Sequence, residues 1–378
     1  MGSAVHNTIW ELSADGTQVH NLLPNWKGAD DPQQGNWTPD GKYFVFHAWR
    51  GGRSDLWAIQ EKANPFHRIN GEPVQLTAGP LSFLSPQPSV DGKKIFAIGV
   101  QLRAELVRYD LKSRQFIPFL GGISAAWVSF SRDGKWVTYA TYPEGDIWRS
   151  RADGTEKLQL MSGSVAGGWS PVISPDGHQV AFIAGVSGIQ QVYVVSMDGG
   201  TPQSVQINGA VPGLSLDWCG TGKTILVTQA EPGRDNRAVL LELETAKTTY
   251  LADSQGSFLS RCSPDGKQVV ARTVNGNKLR LFEFATQKWS ELVTHSVGSM
   301  QWSADGKYVY FDTGSGAEQN IYRVRLADRK VELVTNLQDF RRAMLPWVSW
   351  MGLTPDGSPL VMRDIGTQEV YALDFEAP

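Results

Sequence analysis

The chain has 378 residues, 41% of them hydrophobic, 10% aromatic and 19% charged, with a formal net charge of −3. A normal apolar fraction excludes a disordered chain, and the 39 glycines show no period of three, which excludes collagen. No run approaches about 18 apolar residues, so no spanning helix and no membrane insertion are expected, and the negative balance argues against a grip on nucleic acid through phosphate neutralisation.

Met1-Gly2-Ser3-Ala4-Val5-His6 has neither the basic start nor the apolar run of an export signal. His6 stands where a myristoylation motif takes Ser or Thr. Met1-Gly2-Ser3 reads as a cloning remnant or a chosen start, with sequence upstream of it missing. Ile9-Trp10-Glu11-Leu12 and His20-Asn21-Leu22-Leu23 then read as two short strands.

From there the chain repeats. Pro39-Asp40-Gly41-Lys42 returns as Val90-Asp91-Gly92-Lys93, Arg132-Asp133-Gly134-Lys135 and Pro175-Asp176-Gly177-His178. It continues as Thr221-Gly222-Lys223, Pro264-Asp265-Gly266-Lys267, Ala304-Asp305-Gly306-Lys307 and Pro355-Asp356-Gly357-Ser358. The glycines are 51, 42, 43, 45, 44, 40 and 51 residues apart, the period of a four-stranded propeller blade. Asp-Gly supplies the positive φ of a tight hairpin turn. A short strand precedes it, often bearing a tryptophan (Trp37, Trp127, Trp169, Trp218, Trp302, Trp350). A continuous apolar strand follows, such as Val180-Ala181-Phe182-Ile183, which implies burial on both faces. A third strand carries an aliphatic–aromatic pair, Leu56-Trp57, Ile147-Trp148 or Val370-Tyr371, and a shorter fourth closes the unit. Tryptophans at equivalent places are packing for stacked blades.

The expected fold is therefore all-β: one domain over 1–378, an eight-bladed β-propeller of four-stranded antiparallel blades, with seven blades as the alternative. The last unit stops after Glu369-Val370-Tyr371-Ala372-Leu373, so residues 1–23 are expected to close the ring by completing the last blade and removing an exposed edge.

Apparent catalytic motifs dissolve into this repeat. Gly220-Thr221-Gly222-Lys223-Thr224 resembles the end of a phosphate-binding loop, but Asp217 stands where the first glycine belongs and a strand follows. Ser131-Arg132-Asp133-Gly134-Lys135-Trp136 is spaced too closely for a sialidase Asp-box. Gly185-Val186-Ser187-Gly188 is one residue short of a nucleophile elbow, and no βα alternation follows the last unit. The six histidines form no short ligand pair, so no zinc motif is visible. Cys219 and Cys262 stand near the ends of first strands in successive units at non-equivalent places, and read as buried free thiols.

The Asp-Gly-Lys units resemble the WD40-like repeats of TolB-type β-propellers over essentially the whole chain. Longer stretches are similar to the C-terminal propeller region of bacterial winged-helix (CadC-like) transcriptional regulators and related kinase-fused proteins, particularly of acidobacteria. These are Gly35-Asn36-Trp37-Thr38-Pro39-Asp40-Gly41-Lys42, Glu72-Pro73-Val74-Gln75-Leu76-Thr77, Glu105-Leu106-Val107-Arg108-Tyr109-Asp110 and Arg363-Asp364-Ile365-Gly366-Thr367-Gln368-Glu369-Val370-Tyr371. The resemblance implies an accessory sensing or interaction domain, a fragment of a larger bacterial regulatory protein on the extracytoplasmic side. It names no catalytic residue.

With the Asp-Gly turns at one end, the variable loops collect at the other, where binding on a rigid scaffold is expected. Arginines and aromatics recur there, and Trp49, Arg50, Arg103, Tyr142, Arg341 and Arg363 are the candidate ligand-binding residues. Their field would favour a protein or a small anionic ligand, taken up by a monomer. A non-catalytic interaction domain is the leading reading, with no cofactor evident. The alternative is a hydrolase or lyase at the channel mouth, with or without a metal in the channel, using His47, Glu144 and Asp364.

Overall fold

The computed structural model describes residues 8–24, 26, 31–50, 53–60, 72–161, 166–186, 189–205, 207, 211–230, 235–314, 318–343, 345 and 349–376. All regular structure among them is β, and they hold no helix long and apolar enough to cross a membrane.

The repeat begins in the turn. A Ser or Thr hydroxyl two residues before each turn aspartate donates to its Oδ1: Thr38 to Asp40 at 2.7 Å, Ser131 to Asp133 at 2.6 Å, Ser174 to Asp176 at 2.5 Å, Ser263 to Asp265 at 2.6 Å. The same oxygen accepts the N–H two residues on, as from Lys135 at 3.1 Å, and the glycine between takes the left-handed region, Gly134 at φ +69°. These bonds to the charged form hold Asp40, Asp91, Asp133, Asp176, Asp265 and Asp305 below the usual carboxylate range, the hydroxyl contributing most. The turn at Gly222 has lost the aspartate. The continuous apolar second strands are buried on both faces as expected: Val180, Ala181, Phe182, Ile183 and Ala184 are all fully buried.

The chain divides into two compact units, one of residues 104–365 and one that combines the N-terminal residues up to Arg103 with Gly366–Pro378. The first holds six four-stranded antiparallel sheets. Blade 1 is Ala125–Phe130, Trp136–Thr141, Ile147–Arg151 and Leu158–Met161; blade 2 runs from Ala166–Ile173 to Gln203–Val205 and blade 3 from Val211–Cys219 to Thr248–Tyr250. Blade 4 runs from Ser257–Cys262 to Lys288–Thr294, and blade 5 from Met300–Trp302 to Val331–Asn336. Blade 6 combines late and early chain: Gly352–Leu353 and Pro359–Asp364 supply its inner strands, Ala104–Asp110 and Gln115–Pro118 its outer ones. The joining ladder sets Leu360 opposite Arg108 and Asp364 opposite Ala104. Each first strand packs on the next around the unit, and that of blade 6 packs on blade 1, so the six sheets form a closed ring. The apolar core lies between neighbours; Ala181, Ile183 and Val192 of blade 2 meet Leu216, Ile225 and Val227 of blade 3.

The other unit contains one four-stranded sheet from Asp31–Trp37 to Val74–Gln75, and a three-stranded sheet of Ser82–Pro88, Lys94–Gln101 and Thr367–Asp374. The strands Trp10–Leu12 and Val19–Asn21 pair with each other.

Two expectations are corrected. The ring of eight closed by residues 1–23 gives way to this arrangement: six of the repeat turns, five Asp-Gly and the Thr221-Gly222 turn, serve the ring of 104–365 and two serve the other unit. Thr367–Asp374 is completed not by the N-terminal strands but by Gln101–Lys94, over eight residue pairs. The third strands of the second and eighth repeats have in effect exchanged partners, because a second strand is satisfied by any third strand of matching length and alternation. The thiols are not free either. Cys219 and Cys262 form a disulfide with Cα atoms 5.5 Å apart, within the usual span. The missing turn residue before Gly222 made their places look non-equivalent, yet each ends the first strand of its blade.

Candidate functional site

The antiparallel run of each blade sends the 2–3 loops and the blade-to-blade connections to the end of the ring opposite the Asp-Gly turns. Between blades 5 and 6 the connection folds back as a strap. Arg342 bridges to Arg363, the Asp364 N–H donates to the Arg341 carbonyl at 2.8 Å, and the Ala343 N–H to the Met362 carbonyl at 3.0 Å. Blade 6 permits this because its first strand has only two residues, Gly352–Leu353, leaving the far half of Pro359–Asp364 open.

Three ion pairs follow from the strap. Arg341 Nε donates to Asp364 Oδ2 at 3.0 Å, and Arg363 Nη1 donates to Glu105 Oε2 at 2.9 Å while its guanidinium lies 5.5 Å from the Phe340 ring centre. Arg342, only 5% exposed, pairs with the fully buried Asp312 and donates to the Trp350 carbonyl at 2.7 Å. A cavity of about 430 Å³ opens against the strap, lined by Gly314, Gln319, Gln338, Asp339, Phe340, Arg341 and Arg342. Burial, with a smaller contribution from the Asp364 charge, holds the Tyr142 phenol above its usual range, so Tyr142 stands within electrostatic reach of this group.

A second cavity, of about 260 Å³, lies at the turn end of the same ring, where the first strands of all six blades contribute a wall. Asp217 lines it. Enclosure pushes its carboxyl up to about 6, against the opposing pull of the Arg261 guanidinium and of the Cys262 and Trp218 N–H groups, both 3.0 Å away. Arg261 donates to the Leu216 carbonyl at 2.7 Å.

Of the sequence-derived candidates, Tyr142, Arg341, Arg363 and Asp364 gather at the strap end of the ring, and Glu144 is exposed in the turn beside Tyr142. Trp49, His47 and Arg103 belong to the other unit, and the Arg50 side chain lies outside the described residues. His47 is buried there, its Nδ1 3.4 Å from the Ser85 N–H. Arg341 and Arg363 each meet a carboxylate, which offsets the positive field that their number alone suggests. Among the described residues no group of three or more His, Cys, Asp or Glu is placed to hold a metal ion. Sequence reasoning passed over Glu105, Arg272, Asp312 and Asp217, whereas Arg342 was already among the arginines expected at this end. The signal for Asp312 was legible: an acid ending the apolar run Tyr308-Val309-Tyr310-Phe311.

A family profile for the N-terminal β-propeller domain of tricorn protease matches residues 140–346, more than half of the chain. The chain belongs to that family. The matched part of this tricorn-type propeller runs from blade 1 to the strap. Among solved structures it is similar to a TolB-type protein from Agrobacterium tumefaciens, at 17% identity and a TM-score of 0.55, over 70% of this chain and 99% of that one. TolB from Acinetobacter baumannii matches at 16% identity and a TM-score of 0.47, over 77% and 81% of the two chains. An oligogalacturonate lyase in complex with manganese matches at 16% identity and a TM-score of 0.46, over 86% and 98%. Likeness at this identity shows the fold alone, a TolB-like β-propeller. Comparison with curated proteins found no match.

Proposed function

We propose that this tricorn-type propeller is a non-catalytic binding domain that takes a protein or a small anionic ligand at the strap end of the 104–365 ring. The observation that carries the reading is that Arg341 and Phe340 of the strap line one open cavity, with the Arg363 guanidinium of blade 6 stacked beside the Phe340 ring. Half-exposed arginines backed by aromatic rings are the usual anchors of protein recognition, and an incoming carboxylate can exchange with Asp364 or Glu105 without stranding a charge. Trp49, Arg50 and Arg103 form no part of this proposal. The Cys219–Cys262 disulfide supports a working place in an oxidising, extracytoplasmic compartment.

Calorimetric titration of the full chain with an acidic peptide, hexaglutamate, tests the reading. Replacing Arg341 and Arg363 together by Ala should weaken binding more than tenfold, roughly 1.4 kcal/mol, with an unchanged circular dichroism spectrum. Equal binding by the double variant removes the site. Turnover of ester, phosphoester or glycoside substrates that disappears in Glu144→Gln or Asp364→Asn would overturn the non-catalytic assignment.

A further inference from the structure

The unit that combines the N-terminal residues up to Arg103 with Gly366–Pro378 is a stack of three β layers. Its middle layer is the sheet from Asp31–Trp37 to Val74–Gln75. Ile9, Leu22 and Leu23, from the N-terminal hairpin, pack on one face of that sheet against Phe44, Phe46 and Ala48. Phe83, Ile95 and Ala97, from the three-stranded sheet, pack on the other face against Val45, Leu56 and Ala58. Successive residues of a strand point to opposite faces, so Val45 and Phe46 are both fully buried, as Val180 to Ala184 are in the ring.

The two outer layers differ, because each has one face that no described residue covers. The hairpin presents Trp10, Leu12 and Val19, which are 60%, 61% and 61% exposed, with Leu12 directly opposite Val19. The three-stranded sheet presents Phe96, Ile98 and Val370, at 42%, 37% and 76%. Leu84, Ile98 and Val370 form one row across its strands, and Phe96 stands opposite Ala372 in the next. At the rim Lys94 Nζ donates to Asp374 Oδ1 at 2.6 Å. An apolar centre with a polar rim is the anatomy of a recognition surface. Since the two open faces belong to layers on opposite sides of the middle sheet, they cannot cover each other within one molecule.

We infer that they cover each other between molecules: the hairpin face of one copy of this chain stacks on the three-stranded sheet of a second, and copies associate head to tail. The contact continues the packing already present between the layers of each molecule, apolar side chains of one β layer set on those of the next. That continuity selects a second copy as the occupant. The open sheet lacks a β layer with exposed apolar residues, and the hairpin is one. Trp10 is the anchor, as a large aromatic side chain at the centre of the smaller face. The interface is heterologous, so each added copy leaves one face of either kind free and assembly grows with concentration unless it closes into a ring.

Sedimentation velocity of the full chain over about a hundredfold range of concentration tests this. Wild type should sediment faster as concentration rises. Val370→Lys, on the sheet face, and Trp10→Lys, on the hairpin face, should each stay monomeric over the same range, because either sets an unpaired charge in the apolar contact. Both side chains are exposed, so the circular dichroism spectrum should not change. Each variant keeps the face that the other has lost. An equimolar mixture should therefore form a dimer and nothing larger, which also shows that both variants are folded. A wild-type monomer at every concentration, the state expected from the sequence, overturns the inference. So does a mixture that stays monomeric. Association of Trp10→Lys to the wild-type extent would mean that the sheet face pairs with its own kind, and overturns it as well.

Discussion

A carboxylate enclosed in a cavity wall loses part of the water that would solvate its charge, and Asp217, lining the turn-end cavity, shows the consequence. Its value of about 6 lies above the ordinary 3.8, so the fold favours its protonated form. That contribution to stability is complete below about pH 3.8 and is lost as pH rises through about 6. The turn aspartates act in the opposite sense, since their lowered values add stability that disappears only as pH falls below the ordinary carboxyl range. Asp217→Asn should therefore abolish a fall in stability between about pH 4 and pH 6, on the order of 2–3 kcal/mol, while leaving the acid limb unchanged. Urea unfolding followed by tryptophan fluorescence at pH 4.5 and pH 7 measures this, and equal pH dependence in variant and wild type would contradict it. Trp218, next to the carboxylate, is a suitable reporter.

Between blades, the covalent tie of blade 3 to blade 4 stands out. Gly266 at φ +72° lies so close to the Gly220 backbone that an added Cβ would stand 2.6 Å from its Cα, and the disulfide joins the strand ends just above. With the cysteines 43 residues apart in sequence, the constraint on the unfolded chain is worth about 4 kcal/mol in the chain-entropy view. Replacing both cysteines by serine should lower the urea midpoint of the ring by the equivalent of about 2–4 kcal/mol. An unmoved midpoint would mean that the neighbouring ladders already restrict the unfolded chain as much as the bond does. The pairing was hidden in the sequence because a single deleted turn residue shifted Cys219 relative to its own Asp-Gly-Lys motif.

For the whole molecule, the consequential feature is the partner exchange between the second and eighth repeats. Because Ala104–Asp110 closes the ring onto Pro359–Asp364, the stretch 104–365 carries every strand its six blades need. Expressed alone, it should unfold in one cooperative thermal transition, and in the full chain removal of residues 1–23 should leave that transition in place. A fragment without cooperative unfolding would show that the ring depends on the remainder of the chain.

The repeat length, the position of every Asp-Gly turn and the double-sided burial of the second strands were all legible in the sequence, because each is a local matter. A turn needs Asp-Gly and the hydroxyl two residues before it; a strand buried on both faces needs an apolar run. Tyr142, Arg341, Arg363 and Asp364 could be assigned to one end for the same reason, since antiparallel alternation decides which end a loop reaches. Strand partnership could not be read this way. Leu106-Val107-Arg108-Tyr109 and Val370-Tyr371-Ala372-Leu373 offer equivalent backbone donors and acceptors and similar apolar alternation, so either could complete either repeat. Only the packed structure chooses, and its choice makes a ring of six where eight repeats are written. The arginines follow the same logic: their number along the chain suggests an open positive field, but Glu105, Asp312 and Asp364 meet them from segments that only folding brings near. Coulomb energy depends on separations in space, and no spacing along the chain reports those.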